Sequence, residues 1–290
     1  MVVKNLLLFC ILLVSIGRLS AQVTVEVSTD QDEFLPGEDI PVVARIVNHS
    51  GETLKLGNDN EWLKFSVAGR DGYVVLKTGE VPVTQPFTLE SSERATVHAN
   101  LAPYFHLPRT GHYLITATLT IPGWSRQVNS SPKGFDVIQG ARLWQEQFGV
   151  PTRADNTNAM PETRTYALQE ANYLHSRLML YAQVADKEGK LNKVIPIGSM
   201  VSFGQPEPQV DKQSNLNVLY QNGPRTFNYT VIDPDGNIIL RQTYDYTSRP
   251  RLMPNADGEI AVVGGKRRVT HSDLPPPTVT SISTNVLSPP

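Results

Sequence analysis

What most constrains the fold is a regular alternation of short apolar runs with turn residues, at a spacing no helix can use. Leu216, Val218 and Tyr220 lead into Asn222-Gly223-Pro224, and Phe227, Tyr229 and Val231 lead out of it. Asp233-Pro234-Asp235-Gly236-Asn237 then connects to a run over residues 238–246. Side chains that alternate apolar and polar belong to a strand with one buried face. Asn-Gly and Asp-Gly tolerate the positive φ that tight hairpins require. Leu178, Leu180, Ala182 and Val184 alternate in the same way and end at Asp186-Lys187-Glu188-Gly189, from which residues 191–197 return. Residues 163–270 are therefore predicted to be an antiparallel β domain of six or seven strands ending near Val263.

Residues 22–139 follow the same rule. Val23, Val25 and Val27 alternate with Thr24, Glu26 and Ser28, and Pro36-Gly37 punctuates before a continuous apolar run at 40–47. Further extended segments follow about every ten residues, with Gly, Pro and Asn between them, a sandwich pattern. Phe34-Leu35-Pro36-Gly37-Glu38-Asp39-Ile40, the apolar run and Asn48-His49-Ser50-Gly51 resemble the entry to bacterial immunoglobulin-like and fibronectin-like modules. Gly111-His112-Tyr113-Leu114-Ile115 resembles the opening of their late core strand, where a tyrosine packs over the sheet corner. The resemblance covers Val23 to Ile138 and implies a β-sandwich, with Tyr113 buried; it implies no activity, because the fold hosts unrelated functions. The fold class expected is all-β: an immunoglobulin-like β-sandwich followed by a second antiparallel β domain.

Between the two, residues 140–162 read as a short helix and linker. Leu143, Trp144 and Phe148 fit one face of a helix over 141–148, Pro151 stops it, and the polar stretch 152–158 is a linker. From His271 the chain carries Pro275-Pro276-Pro277 and many Ser and Thr, so 271–290 is expected to be a disordered tail.

Residues 1–21 read as a secretory signal. Lys4 gives the positive n-region, residues 6–17 form an uncharged apolar run, and Ala21 precedes a cleavage point before Gln22, although Arg18 and Leu19 depart from the commonest pattern. The run is shorter than the ~20 residues of a membrane-spanning helix, and no later segment approaches that length. The protein is therefore expected to be exported, to periplasm, cell surface or medium, with no transmembrane helix in the mature chain.

The one cysteine, Cys10, lies inside that leader. The mature chain thus has no disulfide or thiolate metal site, which leans toward a bacterial envelope protein. With Lys4 and Arg18 removed, 24 of the 26 basic residues face 28 acidic ones, a formal charge of about −4 that argues against a nucleic-acid partner.

Motifs that carry chemistry are few. Leu107-Pro108-Arg109-Thr110-Gly111 matches the cell-wall sorting pentapeptide of sortases, but that chemistry needs it near the C-terminus, so a turn is the expectation. Asp233-x-Asp235-Gly236 and Asp186-x-Glu188-Gly189 can begin a calcium loop, yet strands on both sides favour a plain hairpin turn. His98, His106 and His112 lack a recognisable ligand spacing, and the six histidines are expected in loops. Asn48, Asn129 and Asn228 fit the glycosylation sequon, which matters only in a eukaryotic secretory pathway. No nucleophile elbow or phosphate loop occurs, and acids such as Glu61, Glu170 and Asp245 are unranked. Trp62 and Trp124 are the aromatics marked for ligand or partner contact, Trp124 because it sits in the turn Pro122-Gly123-Trp124-Ser125, with burial as the competing reading.

These observations lead to the expectation of an exported, non-catalytic binding or structural module of the cell envelope, with no cofactor or metal and with a protein or cell-surface polysaccharide as partner. The alternative is a secreted carbohydrate-active enzyme or carbohydrate-binding accessory protein.

Overall fold

The computed structural model describes residues 23–70, 72–150, 162–188, 191–255 and 257–275, and these contain strands and no helix. The signal segment, the polar stretch at 152–158 and the tail beyond Pro275 lie outside the described residues. Two compact units are present. The first holds the chain up to Asp32 with Ile40–Leu107 and Gly111–Asp136, and the second holds Glu33–Asp39, Pro108–Thr110 and everything from Val137.

In the first unit, Val23–Thr29, Pro41–Asn48 and Arg94–Asn100 form an antiparallel sheet with Pro41–Asn48 at its centre. A second sheet is built on Gly111–Leu119, which pairs Leu63–Gly69 in register Ile115↔Val67. Alternation decides which side chains enter the core. Val42, Ala44 and Ile46 of one strand, and Ile115, Ala117 and Leu119 of another, are all buried, while their neighbours are not. Tyr113 is buried, as the sequence predicts, and its ring stacks on Phe135 with centroids 5.5 Å apart.

The second unit is layered. Ala141–Gly149, Thr163–Tyr173, Arg177–Asp186 and Asn192–Ser199 form a four-stranded antiparallel meander. Glu207–Val210, Leu216–Gly223, Thr226–Ile232, Ile238–Asp245 and Lys266–Arg268 form a five-stranded sheet, with the hairpin Arg251–Pro254/Ile260–Val263 beside it. Leu216, Val218, Tyr220 and Ile232 pack against Tyr166, Leu168, Leu180 and Ile197 of the meander. Leu219, Tyr229 and Val231 form a separate core with Leu252, Ile260 and Val262. The five-stranded sheet is thus buried on both faces, and five successive residues from Leu216 to Tyr220 are buried.

Three hairpins of this unit are closed by one device repeated every 22 residues. Asp211, Asp233 and Asn255 each accept, on the side-chain oxygen Oδ1, the amides two and four positions on: Gln213 and Asn215, Asp235 and Asn237, Asp257 and Glu259. The residue three positions on has positive φ in each case: Ser214, Gly236 and Gly258. Such Asx turns fix the loop length and hence the strand register.

Two expectations are corrected. Residues 141–148 form a strand, Ala141–Gly149, belonging to the second unit. A register shift between Arg142 and Trp144 leaves Leu143 without a cross-strand partner and 40% exposed, so the triplet Leu143, Trp144, Phe148 imitates a helical stripe. Trp144 and Phe148 then reach the core at even spacing. The tail is also ordered further than expected. Leu274 exchanges both backbone hydrogen bonds with Arg241, and Asp273 is buried against Arg267 and Thr270. The turn expected at Asn222-Gly223 sits slightly later: Gly223 pairs Thr226 around Pro224-Arg225, and Asn222 is a bulge.

Candidate functional site

Trp62 and Trp124 have different fates. Trp62 is buried, its Nε1 donates to the Val83 carbonyl at 3.0 Å, and Phe87 meets it edge-on at 5.5 Å. It therefore builds the wall of a groove of about 530 Å³ in the first unit and does not project from it. Trp124 is half-buried, and its amide closes the turn onto the Ile121 carbonyl.

The carboxylates weighed as the start of a calcium loop, for which a plain hairpin turn is the expectation, serve the hairpins. Asp233 accepts the turn amides, and Asp235 receives Arg164 at 2.8 Å. Asp186 Oδ2 accepts the Leu191 amide. Five histidines are exposed; His112 is half-buried, with Nδ1 2.8 Å from Asp136 and its ring over Gly134, where a Cβ would come within 2.9 Å. Among the described residues no group of three or more His, Cys, Asp or Glu is arranged to hold a metal ion. Asn48 of the first sequon is fully buried, and its amide joins the Glu52 and Leu89 carbonyls. Leu107 is buried at the start of the pentapeptide, whose next four residues are exposed.

Of the unranked acids, Glu61 pairs with Lys64 and Asp245 with Arg268, both on the surface. The buried carboxylates are engaged by structure: Glu33 accepts the Leu174 amide, Glu38 the Leu35 amide at 2.9 Å. Burial works to raise Asp273, but hydrogen bonds from Arg267 and Thr270 outweigh it and hold the group below its ordinary value. Burial pushes the hydroxyls of Tyr166, Tyr181 and Tyr220 up. Tyr229 rises to about 12, chiefly by burial, and its hydroxyl donates to Asn217.

A groove of about 660 Å³ in the second unit is lined by Phe203, Tyr220, Phe227 and Tyr246. Its floor is strand: Leu219 and Gln221 from Leu216–Gly223, with Phe227 directly opposite Gln221. One wall is the loop between the two sheets, which brings Phe203 and Gln205. That loop is tied to the floor by the Val201 amide on the Gln221 carbonyl at 3.0 Å and closed by the Gly204 amide on Val201. Phe203 is 76% exposed although its loop is anchored on both sides. A ring this exposed adds little burial to the fold, and with Phe227 and Tyr246 in the same groove it forms part of an aromatic surface suited to a ligand with an apolar face.

The opposite wall is Tyr246, Arg225 and Arg249. The Tyr246 amide donates to Arg225, whose guanidinium returns a bond to the Tyr246 carbonyl at 3.2 Å and lies 6.0 Å over its ring. Phe227 stacks near the same ring at 6.4 Å. Arg249 reaches Glu207 across 3.6 Å with 63% of its side chain exposed. The groove thus offers apolar ring faces with planar polar groups around them, which suits a ligand that has both apolar faces and hydrogen-bonding edges.

None of these groove residues was marked by the sequence reading. The available signal was Phe203 within Val201-Ser202-Phe203-Gly204-Gln205-Pro206, a large aromatic in a Gly/Pro loop.

A scan against protein-family models found no match, and a search of curated proteins found no relative. Among solved structures, the sporulation control protein Spo0M from Bacillus subtilis aligns with a TM-score of 0.31 and 9% identity, over 69% of this chain and 79% of that one. That likeness is too remote to carry an argument. Among the described residues no helix is long and apolar enough to cross a membrane.

Proposed function

We propose that the chain is an exported, non-catalytic binding module of the cell envelope, with an immunoglobulin-like first unit and its ligand site in the Phe203/Tyr246 groove of the second. The observation that carries this reading is the 76% exposure of Phe203 at the wall of an aromatic-floored groove. Export rests on the leader pattern of residues 1–21. The immunoglobulin-like reading is supported by two antiparallel sheets with alternating buried positions and by the buried Tyr113. The non-catalytic reading rests on the sequence, in which no nucleophile elbow or phosphate loop occurs.

The test is retention. Immobilised protein is exposed to fractionated envelope polysaccharide and, separately, to envelope protein, beside the Phe203→Ala/Tyr246→Ala variant. Material held by the native chain and released by the variant supports the reading. Equal retention by both, or hydrolysis of a retained polymer, contradicts it.

A further inference from the structure

The polar groups around the groove specify a ligand more narrowly than its aromatic wall does. Gln205, Glu207, Arg225 and Arg249 end in planar amide, carboxylate or guanidinium groups, and Gln221, whose Nε2 donates to the Gly223 and Pro224 carbonyls, adds its Oε1. Such flat, two-pronged groups bond pairs of adjacent hydroxyls or a carboxylate, and they suit a ring that carries polar substituents on its edge and C–H on its faces. Aromatic side chains present the complementary flat apolar face. A sugar ring has this distribution of groups, with several hydroxyls around its edge.

The charge points further. Two guanidinium groups face one carboxylate in the groove, although the chain as a whole carries a formal charge of −2. In the neighbouring strand Arg267 is matched by Asp273 and Arg268 by Asp245, so the positive charge of the groove rests on Arg225 and Arg249. Arg225 is fixed by the Tyr246 ring and carbonyl, so it is a cation already in position. Arg249 is largely exposed and its 3.6 Å contact with Glu207 is a surface pair. Such pairs contribute little, so an incoming anion competes with Glu207 at low cost.

We infer that the groove binds an acidic glycan, a chain of sugar rings bearing carboxylates, with ring faces against Phe203 and Tyr246 and the acid group between Arg225 and Arg249. This rests on the groove being the ligand site, as proposed above. Ordering Arg249 on a carboxylate also makes binding fall with salt, as expected of a charge-assisted contact near solvent.

Affinity electrophoresis in native gels tests it with polygalacturonate, a neutral glucan and poly-glutamate as the embedded polymers. The expected result is retardation by polygalacturonate alone, weakened about tenfold or more by Phe203→Ala and by Arg225→Gln/Arg249→Gln, with both variants melting like the native chain. Retardation by the neutral glucan that is sensitive to Phe203→Ala overturns the acidic-glycan inference and leaves the groove standing. Equal retardation by poly-glutamate, or retardation indifferent to Phe203→Ala, shows charge attraction without ring recognition and overturns the inference. No retardation by polygalacturonate overturns it too, while the envelope retention assay decides separately on the groove.

Discussion

The Phe148 ring lies flat on the Tyr166 ring, with centroids 4.1 Å apart and planes inclined by 12°. The contact runs diagonally across the strand pair, since Tyr166 stands opposite Glu146 and Phe148 opposite Arg164. It joins the edge strand Ala141–Gly149 to the core of the second unit, where the Tyr166 hydroxyl donates to the Ser214 carbonyl at 3.0 Å. Phe148→Ala removes the ring that anchors this edge. It is expected to destabilise the second unit by about 3 kcal/mol, the lower end for deletion of a core aromatic. Urea denaturation followed by circular dichroism reads the loss, and a change below about 1 kcal/mol contradicts the assignment of this segment to the core.

Gly57 and Gly51 separate two reasons for a glycine. Both have positive φ, +84° and +81°, but a Cβ on Gly57 would lie 1.9 Å from the Gln85 carbonyl oxygen, whereas one on Gly51 meets nothing within 4 Å. Gly51→Ala is expected to cost about 1 kcal/mol for the left-handed backbone alone, and Gly57→Ala about 3 kcal/mol or more, because a rigid carbonyl must also move. Paired thermal melts check the difference. Equal midpoints for the two variants refute the close approach of the two segments.

Trp62 is a structural residue by its geometry. Trp62→Phe keeps most of the buried ring but removes the hydrogen bond to Val83, so a loss of about 1–2 kcal/mol is expected. Retention of envelope polysaccharide should be unchanged. A variant of native stability that loses retention instead moves the ligand site to the first unit.

Asp273 ties the end of the described chain to the edge of its sheet. Its carboxylate receives Arg267 and Thr270, and the next residue, Leu274, pairs with Arg241. Burial opposes the charge, but these partners win and the folded group titrates below its ordinary value. The unfolded chain therefore binds the proton more readily, and stability from this contact is present above about pH 4 and lost as pH falls through the lower, folded value. Asp273→Asn should remove that acid sensitivity and weaken the local closure by about 1–3 kcal/mol at neutral pH. Hydrogen exchange at the Leu274 and Arg241 amides reports it; unchanged protection in the variant contradicts the role assigned to Asp273.

The fold was legible where one physical rule acted alone. Gly111–Leu119 has one buried face, and its alternation is visible in the sequence. Leu216–Gly223 lies in a sheet covered on both sides, so Leu219 is as buried as Val218, and alternation understates how central the strand is. Ala141–Gly149 was misread because one bulge at Leu143 shifts the phase of its apolar residues to that of a helix. The 22-residue repeat of Asp211, Asp233 and Asn255 was present in the sequence, but its meaning lies in backbone amides that no residue letter records. The groove was illegible for another reason. Phe203, Phe227 and Tyr246 come from three separate segments, and only the pairing of strands brings them to one place. Trp62, marked for its chemistry, is buried by the same fold that leaves Phe203 in water.

The most direct test of the groove is a reporter placed in it. Phe203→Trp keeps an exposed ring at the wall, and its emission, taken as the difference from the native chain with its three tryptophans, is recorded while envelope polysaccharide is titrated in. The account predicts a saturable blue shift of the difference spectrum as the new indole leaves water, abolished when Tyr246→Ala is added. Binding of the polysaccharide to the same variant with no change in that emission would contradict it.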